Sequence, residues 1–372
     1  MTEPGPSQPT TVASARALPA SLTWLVDEAA AAPSPDHFLA ELGRHLLAEG
    51  LPLAGGALTL AVPHPIIARR SWLWRAENET VMEALGFIGM QHDKAGHDWL
   101  AGLAAAQPGT LQEMQIGATA DGPVLGWAGM RAFDAAETAR LQEIARFAAA
   151  PLAAIAARGA LGALLEAYLG RRSAARVRAG ALRRGTGETI RAALLYADLR
   201  GFTAMSEATE PAAMIAALDA WFDRVAGAVH AFGGEVLKFI GDGVLAIFPV
   251  TDQPGAACDA ALRAVIAIRA GMAHLDATRQ TQGLPPLPFG AALHLGEILW
   301  GNVGAADRLD FTAIGPAVNL VSRLEGLCRP LGHAVLISGA VAAETDTGLI
   351  PLGEHALRGI ALPCAVFTLP PA

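Results

Sequence analysis

The sequence predicts an α+β protein: a ferredoxin-like, split βαβ sheet over its second half, preceded by a mixed α/β domain. Three observations predict it. From Ala192 onward, apolar runs and helical patterns follow in the order strand, helix, strand, strand, helix, strand, which is the split βαβ order. Between Leu22 and Met130, helical patterns are interspersed with short apolar runs bounded by Gly and Pro, the signature of strands mixed with helices. Finally, 372 residues of which 52% are hydrophobic and 17% charged suffice for two packed domains and are too apolar for a disordered chain.

Residues 1–20 are rich in Pro, Ser, Thr and Ala without periodicity and read as a loose tail. They lack the basic start and apolar run of a secretory signal. Two amphipathic helices are expected between Leu22 and about Gly50, with Phe38, Leu39, Leu42, Leu46 and Leu47 on one face. The apolar runs 56–62 and 123–130 are expected as strands. Asp134 and Glu137 form a capping box ahead of Leu141, Ile144, Ala145 and Ala148, so a helix starts there. Pro151 is a point at which it would bend, and the pattern resumes through Leu161, Leu164, Leu165 and Tyr168 to Gly170. A long connecting helix or a helix pair follows. Segment 171–191 holds seven Arg against one acid, Glu188, and contains Gly185-Thr186-Gly187; it reads as a solvated helix face and a linker. The chain thus divides into a disordered tail (1–20), a mixed α/β domain (21–158), a helical, Arg-rich connector (159–190) and an α+β domain (191–372). In the last, strands are expected at 192–197, 235–240, 243–248 and 289–295, and helices at 211–232, 254–275 and 316–329.

Composition excludes several function classes. With 27 basic and 35 acidic residues the net charge is −8, so no positive field draws the chain to nucleic acid or an anionic membrane. Only two of the basic residues, Lys94 and Lys238, are lysine. Three cysteines are too few for a disulfide framework or a zinc site, which suits the reducing cytoplasm. The apolar stretch Phe147 to Leu169 is Ala-rich and broken by Arg158 and Glu166, which argues against a membrane span. His92, Asp93, His97 and Asp98 read as a solvated loop rather than a metal site, because histidines at i, i+5 do not share a helix face.

Three segments of the C-terminal domain carry chemistry. Leu194 to Thr203 is an apolar strand ending in Asp198 and followed by a Gly turn. A carboxylate there either binds a hard cation or caps the next turn, and backbone N–H groups of the turn can face phosphate. Gly241-Asp242-Gly243 joins two apolar runs as a hairpin; Asp242 is either a turn former or a second carboxylate. Lys238 interrupts a strand of Val, Leu, Phe and Ile, so it either snorkels from an edge or reads a ligand. In the third segment Pro316 opens a helix on which Asn319 and Arg323 stand at i, i+4. They form either a surface pair or a joint contact to sugar and phosphate.

Together these segments resemble the class III nucleotidyl cyclase catalytic domain over about residues 190–372. The resemblance rests on Asp-x-x-Gly-Phe-Thr from Asp198, Lys-Phe-Ile-Gly-Asp-Gly from Lys238, and Asp-Phe-Thr-x-Ile-Gly-x-x-Val-Asn-x-x-x-Arg-Leu-Glu from Asp310. It implies a homodimer with composite active sites at the interface. It implies that Asp198 and Asp242, with the Leu199 carbonyl, hold two divalent ions, Mg²⁺ or Mn²⁺, and that the backbone at Gly201, Phe202 and Thr203 cradles the outer phosphates. From the other chain, Asn319 would orient the ribose and Arg323 would stabilise the α-phosphate. Lys238 and Thr312 match the positions that read the base; a Lys donor for N1 and a Thr acceptor for the N6 amine favour adenine. The implied activity is adenylate cyclase, converting ATP to cyclic AMP and pyrophosphate, with a guanylate cyclase or an inactive nucleotide-binding module as alternatives. Two departures stand out. Arg358 occupies a place where the family usually has Lys for the terminal phosphates, and Glu297 stands where some members carry a phosphate-binding Arg. The order of helices and strands in 21–158 is similar to GAF-type sensory domains, which implies an unidentified small-molecule or protein signal transmitted through the connector.

Overall fold

In the computed structural model, which describes residues 18–62, 67–88, 95–104, 108–117, 122–180 and 183–371, the chain divides into two units, Met1–Leu164 and Leu165–Ala372. The first contains α1 (Ala20–Asp27), α2 (Pro35–Ala48), β1 (Leu53–Ala61), β2 (Ile67–Arg75), β3 (Val81–Phe87), α3 (Ala95–Leu103), β4 (Leu111–Gln115), β5 (Val124–Gly129) and most of α4 (Ala135–Leu169). Its antiparallel sheet has the order β3-β2-β1-β5-β4. Phe38, Leu39, Leu42 and Leu46 of α2 are fully buried in one core with Trp74 and Trp127 of the sheet, whereas Leu47 sits at the margin, half-buried. α3 covers the other face through Leu100, against Ala57, Leu73 and Ala128.

The tail expected to Ala20 ends sooner, since α1 begins at that residue; residues 1–17 lie outside the described residues, as do His92 and Asp93. β2, β3 and β4 had no sequence expectation. β2 carries Arg69, Arg70 and Arg75, and no residue of β3 or β4 is fully buried, so their apolar alternation is diluted. The capping box forms as a reciprocal pair: Glu137 N–H donates to Asp134 Oδ1 at 2.8 Å and Asp134 N–H to Glu137 Oε2 at 2.9 Å. The expected bend at Pro151 does not break the helix, and α4 is continuous. Proline there removes one backbone donor, and its buried ring joins the stripe of Leu141, Ile144, Ala148, Leu152 and Ile155. α4 is also long and apolar enough to cross a membrane, with a mean hydropathy of 1.6 over its most apolar window; the stripe just named is packed into the core of the first unit.

The second unit contains α5 (Arg171–Arg178), β6 (Gly187–Leu199), α6 (Phe202–Ala208), α7 (Pro211–Ala231), β7 (Glu235–Ile240), β8 (Gly243–Pro249), α8 (Pro254–Thr281), β9 (Phe289–Gly304), β10 (Leu309–Ile314), α9 (Pro316–Glu325), α10 (Cys328–Leu331), β11 (Val335–Ser338), α11 (Gly339–Ala342), β12 (Ile350–His355) and β13 (Cys364–Thr368). The sheet order is β12-β13-β11-β9-β6-β8-β7, with β10 paired to β9. The stretch β9-β6-β8-β7 is antiparallel throughout, which is the split βαβ arrangement. The strand expected at 289–295 runs on to Gly304 because its second half pairs with β10. The helix expected at 316–329 stops at Glu325, before Gly326, and a short turn of helix follows. The last residues of the expected linker, from Gly187, already belong to β6.

From Ala192 onward β6 is covered on both faces, which explains its unbroken apolar run there. Ala193, Leu195, Ala197 and Leu199 face the core built with α7 and α8. Ala192 and Leu194 face the opposite core, built with Ala317, Val321 and Leu324 of α9 and with Trp300 and Phe311 of the β9–β10 arm. The strand emerges from this double layer at Asp198.

Candidate active site

Asp198 and Asp242 meet where β6 ends. The β7–β8 hairpin turns at Gly241 with φ +64°, a left-handed conformation open to glycine, and this presents Asp242 towards β6. Two bonds fix it there: Leu199 N–H donates to Asp242 Oδ2 at 3.1 Å, and the buried indole of Trp221 on α7 donates Nε1–H to the Asp242 carbonyl at 2.8 Å. Burial, a hydrogen bond and charge from Asp242, and charge from Glu325 push the Asp198 carboxyl up to about 8, against a smaller lowering by the Leu199 N–H. Asp198 Oδ1 is buried without a hydrogen-bond partner. Tyr196 is pushed up to about 12 by burial and by Asp198, Glu325 and Asp242. Glu325 is raised by burial, then lowered by Arg200 and raised by Asp242.

This pocket holds an excess of acidic oxygen at the sheet end. An orphaned carboxylate oxygen beside a second carboxylate is a set of hard donors that fits a divalent cation such as Mg²⁺ or Mn²⁺. Among the described residues no three His, Cys, Asp or Glu side chains group as a metal cage. A cation here would therefore draw on the two aspartates, backbone oxygen and the oxygens of a substrate.

The structure places the other predicted residues as follows. Gly201, with φ +74°, opens α6, and exposed Thr203 and half-buried Phe202 form its first turn. Lys238 lies on β7, an edge strand, and its ammonium pairs with the carboxylate of Asp310 on β10. Thr312, buried, is two residues along β10 and so on the same face as Asp310. Lys238 and Thr312 are thus brought to one strand face. Asn319 and Arg323 project from the exposed side of α9, opposite the buried Ala317, Val321 and Leu324, and no side-chain hydrogen bond or ion pair of theirs is found among the described residues. Arg358 is exposed in the turn after β12, on the sheet edge opposite β7. Glu297 is exposed on β9, across from Arg191. His97 turns to Glu113, with Nδ1 2.5 Å from Oε2.

Sequence reasoning missed Trp221, Tyr196, Glu325 and Asp310. Trp221 and Tyr196 sit in apolar runs and read as core, and only their polar tips enter the site. Glu325 and Asp310 were visible within the third motif, but nothing in spacing says that a carboxylate there meets Asp242 or Lys238.

Residues 187–349 match the family model described as the adenylate and guanylate cyclase catalytic domain. An adenylate cyclase of Anabaena cylindrica is 35% identical over 161 residues, which are 42% of this chain and 31% of that protein. Adenylate cyclase 1 of Rhizobium meliloti (strain 1021) is 36% identical over 169 residues, 44% of this chain and 25% of that protein. The chain therefore spans a third or less of these curated relatives. Among solved structures, a bacterial light-regulated adenylyl cyclase aligns with a TM-score of 0.50 at 20% identity, covering 70% of this chain and 86% of that one, a likeness of fold. The matched segment contains the Asp198–Asp242 pair, the Lys238–Asp310 pair and α9, and residues 187–349 are a class III adenylate and guanylate cyclase catalytic domain.

Proposed function

We propose that the chain is an adenylate cyclase that converts ATP to 3′,5′-cyclic AMP and pyrophosphate in intracellular signalling. The observation that carries the reading is the Asp198–Asp242 pair, held together by a backbone bond and leaving one buried carboxylate oxygen without a partner. Two divalent ions, Mg²⁺ or Mn²⁺, held by Asp198, Asp242 and the Leu199 carbonyl, would supply charge neutralisation and an acidified ribose 3′-hydroxyl. The 3′-hydroxyl releases its proton to solvent, its oxygen forms a bond to the α-phosphorus, the bond from that phosphorus to the α,β-bridging oxygen breaks, and pyrophosphate leaves. Gly201, Phe202 and Thr203 would bind the outer phosphates through the backbone, joined by the Arg358 guanidinium. Asn319 would orient the ribose, and Arg323 would stabilise the five-coordinate α-phosphate.

Base choice follows from donor chemistry. The Lys238 ammonium can only donate, which suits the N1 acceptor of adenine and opposes the N1–H of guanine, and the Thr312 hydroxyl can accept from N6. The unpaired, exposed Asn319 and Arg323 support a homodimer in which α9 of one chain completes the metal-side pocket of its partner. The first unit, an antiparallel sheet with helices on both faces, is read as a GAF-like sensory domain for a small-molecule or protein signal, and 159–190 as its connector. Neither nucleic acid nor membrane is a partner in this reading, and the location is cytoplasmic.

The test is direct: the purified chain is incubated with ATP or GTP and Mn²⁺ and the cyclic product identified. Cyclic AMP from ATP is expected. Cyclic GMP alone would overturn the base assignment, and no product from a folded dimer would favour a nucleotide-binding module without catalysis.

A further inference from the structure

We propose that α5 is a clamp on the two strands that carry Lys238 and Thr312, acting through Glu235 and Trp300 as positioning residues; the proposal rests on the reading of Lys238 and Thr312 as base-contacting residues. The first half of the clamp is a buried charge. Glu235 opens β7, three residues before Lys238, and is only 4% exposed. Burying a carboxylate is costly unless polar groups meet it. Here they come from α5: Ser173 N–H donates to Glu235 Oε1 at 3.2 Å and Ser173 Oγ–H at 3.1 Å. The other oxygen has no hydrogen-bond partner, and Arg172 Nε stands 4.0 Å from it.

α5 has no side-chain cap of its own, so the acid that satisfies its first turn is supplied by the strand. The approach is close enough to dictate sequence. Gly170, at the helix start, has φ +79°, and a Cβ there would stand 2.9 Å from Glu235 Oε1.

The second half grips β10. The Arg176 guanidinium lies over the Trp300 ring, 4.6 Å from its centroid, and is itself paired with Glu188. Trp300 meets Phe311 edge-on, with centroids 5.5 Å apart and planes at 82°. Phe311 is the residue before Thr312. Between the two grips, Val177 packs on the apolar cluster that contains Leu237, Trp300 and Phe311, so the neighbours of both base-contacting residues share one surface with α5.

A donor for N1 and an acceptor for N6 must sit at fixed spacing along one base edge, so a small displacement of α5 changes that spacing. Asp242 is held separately, by Leu199 N–H and the Trp221 indole. α5 therefore controls base affinity and base choice, leaving the chemical step alone, and a signal that moves the connector would act on KM.

The experiment measures kcat and KM for ATP and GTP in Mn²⁺ with the full chain and with Arg176→Ala, Glu235→Gln and Lys238→Ala. For Arg176→Ala and Glu235→Gln we expect KM for ATP to rise about tenfold, the preference for ATP over GTP to fall by a similar factor, and kcat to stay within about twofold. Arg176→Lys, which keeps a cation over Trp300, is expected to restore most of the wild-type KM. Arg176 is on the surface, so its variant tests the clamp even if Glu235→Gln misfolds. A fall in kcat at constant KM, or unchanged KM and preference, overturns the clamp. If that happens while Lys238→Ala changes the preference, the clamp alone is wrong. If Lys238→Ala also leaves the preference unchanged, the base-contact reading has failed and the clamp falls with it.

Discussion

Replacing Asp198 by Asn is expected to abolish cyclase activity while stabilising the metal-free protein at alkaline pH. The Asp198 carboxyl is pushed up from 3.8 to about 8, first by burial and then by Asp242 and Glu325. A tenfold change in proton affinity is worth about 1.4 kcal/mol, and screening by solvent at this half-buried position brings the full displacement down to about 2 kcal/mol. The sign follows from proton linkage. Between about pH 4 and pH 8 the native chain keeps a proton at Asp198 that the unfolded chain has released, so the contribution of this group to stability falls as pH rises through that window. Asn has no proton to lose and no charge to bury, so the variant lacks this slope and ends about 2 kcal/mol more stable than wild type at the alkaline end. Urea denaturation followed by circular dichroism in EDTA, at about pH 5 and about pH 8, reads both values. Adding Mn²⁺ at the higher pH should raise the wild-type midpoint and leave that of the variant unchanged. A variant no more stable than wild type at the higher pH, or a stability difference between the two that does not change from about pH 5 to about pH 8, would refute the reasoning.

Trp221→Phe keeps a buried ring but removes the donor to the Asp242 carbonyl at 2.8 Å; we expect a loss of about 1–3 kcal/mol in urea denaturation, accompanied by a fall in kcat. Asp134→Ala removes one side of the capping box and should cost about 1 kcal/mol, read from the denaturation midpoint of the first unit. Mixing Asp242→Ala with Arg323→Ala chains tests the shared site. Random reassortment puts half the dimers in mixed form, each with one intact site of two, so about a quarter of wild-type activity should return; inactivity in proven heterodimers would rule out sharing.

The second unit was legible because its elements are strongly patterned and its motifs lie at element ends. The run 192–197 is apolar throughout since both of its faces are covered, and Asp198 stands out by ending it. Gly241-Asp242-Gly243 marks a turn by chemistry that no packing overrides. What stayed hidden depends on contacts between distant segments. The second half of β9 looks mixed in sequence because it is a strand through its pairing with β10 and with the exposed start of β6. The same holds for Glu235, which reads as a polar residue after a glycine turn until α5, more than sixty positions earlier in the chain, is folded against it. In the first unit β2 and β3 were lost behind arginines and an exposed face. There the sequence supplied the helices of the core and the two inner strands β1 and β5, but not β2, β3 and β4.

The placement of β6 has a consequence for how the site responds to warming. β6 is bonded along its length to β9, from Gly187 opposite Gly301 to Leu199 opposite Phe289, and to β8 on its other side. Amides in such a strand exchange with solvent only when the whole unit opens. β7, by contrast, is an edge strand with a register shift between Val236 and Lys238, and edges open locally at lower free energy. One aspartate of the pair is therefore carried by a strand paired on both sides and the other by the turn of a hairpin whose outer strand is a sheet edge. Fraying of β7 on warming would loosen one side of the Asp242 turn, while the Leu199 N–H and Trp221 bonds keep the aspartate beside Asp198 until the inner strands part.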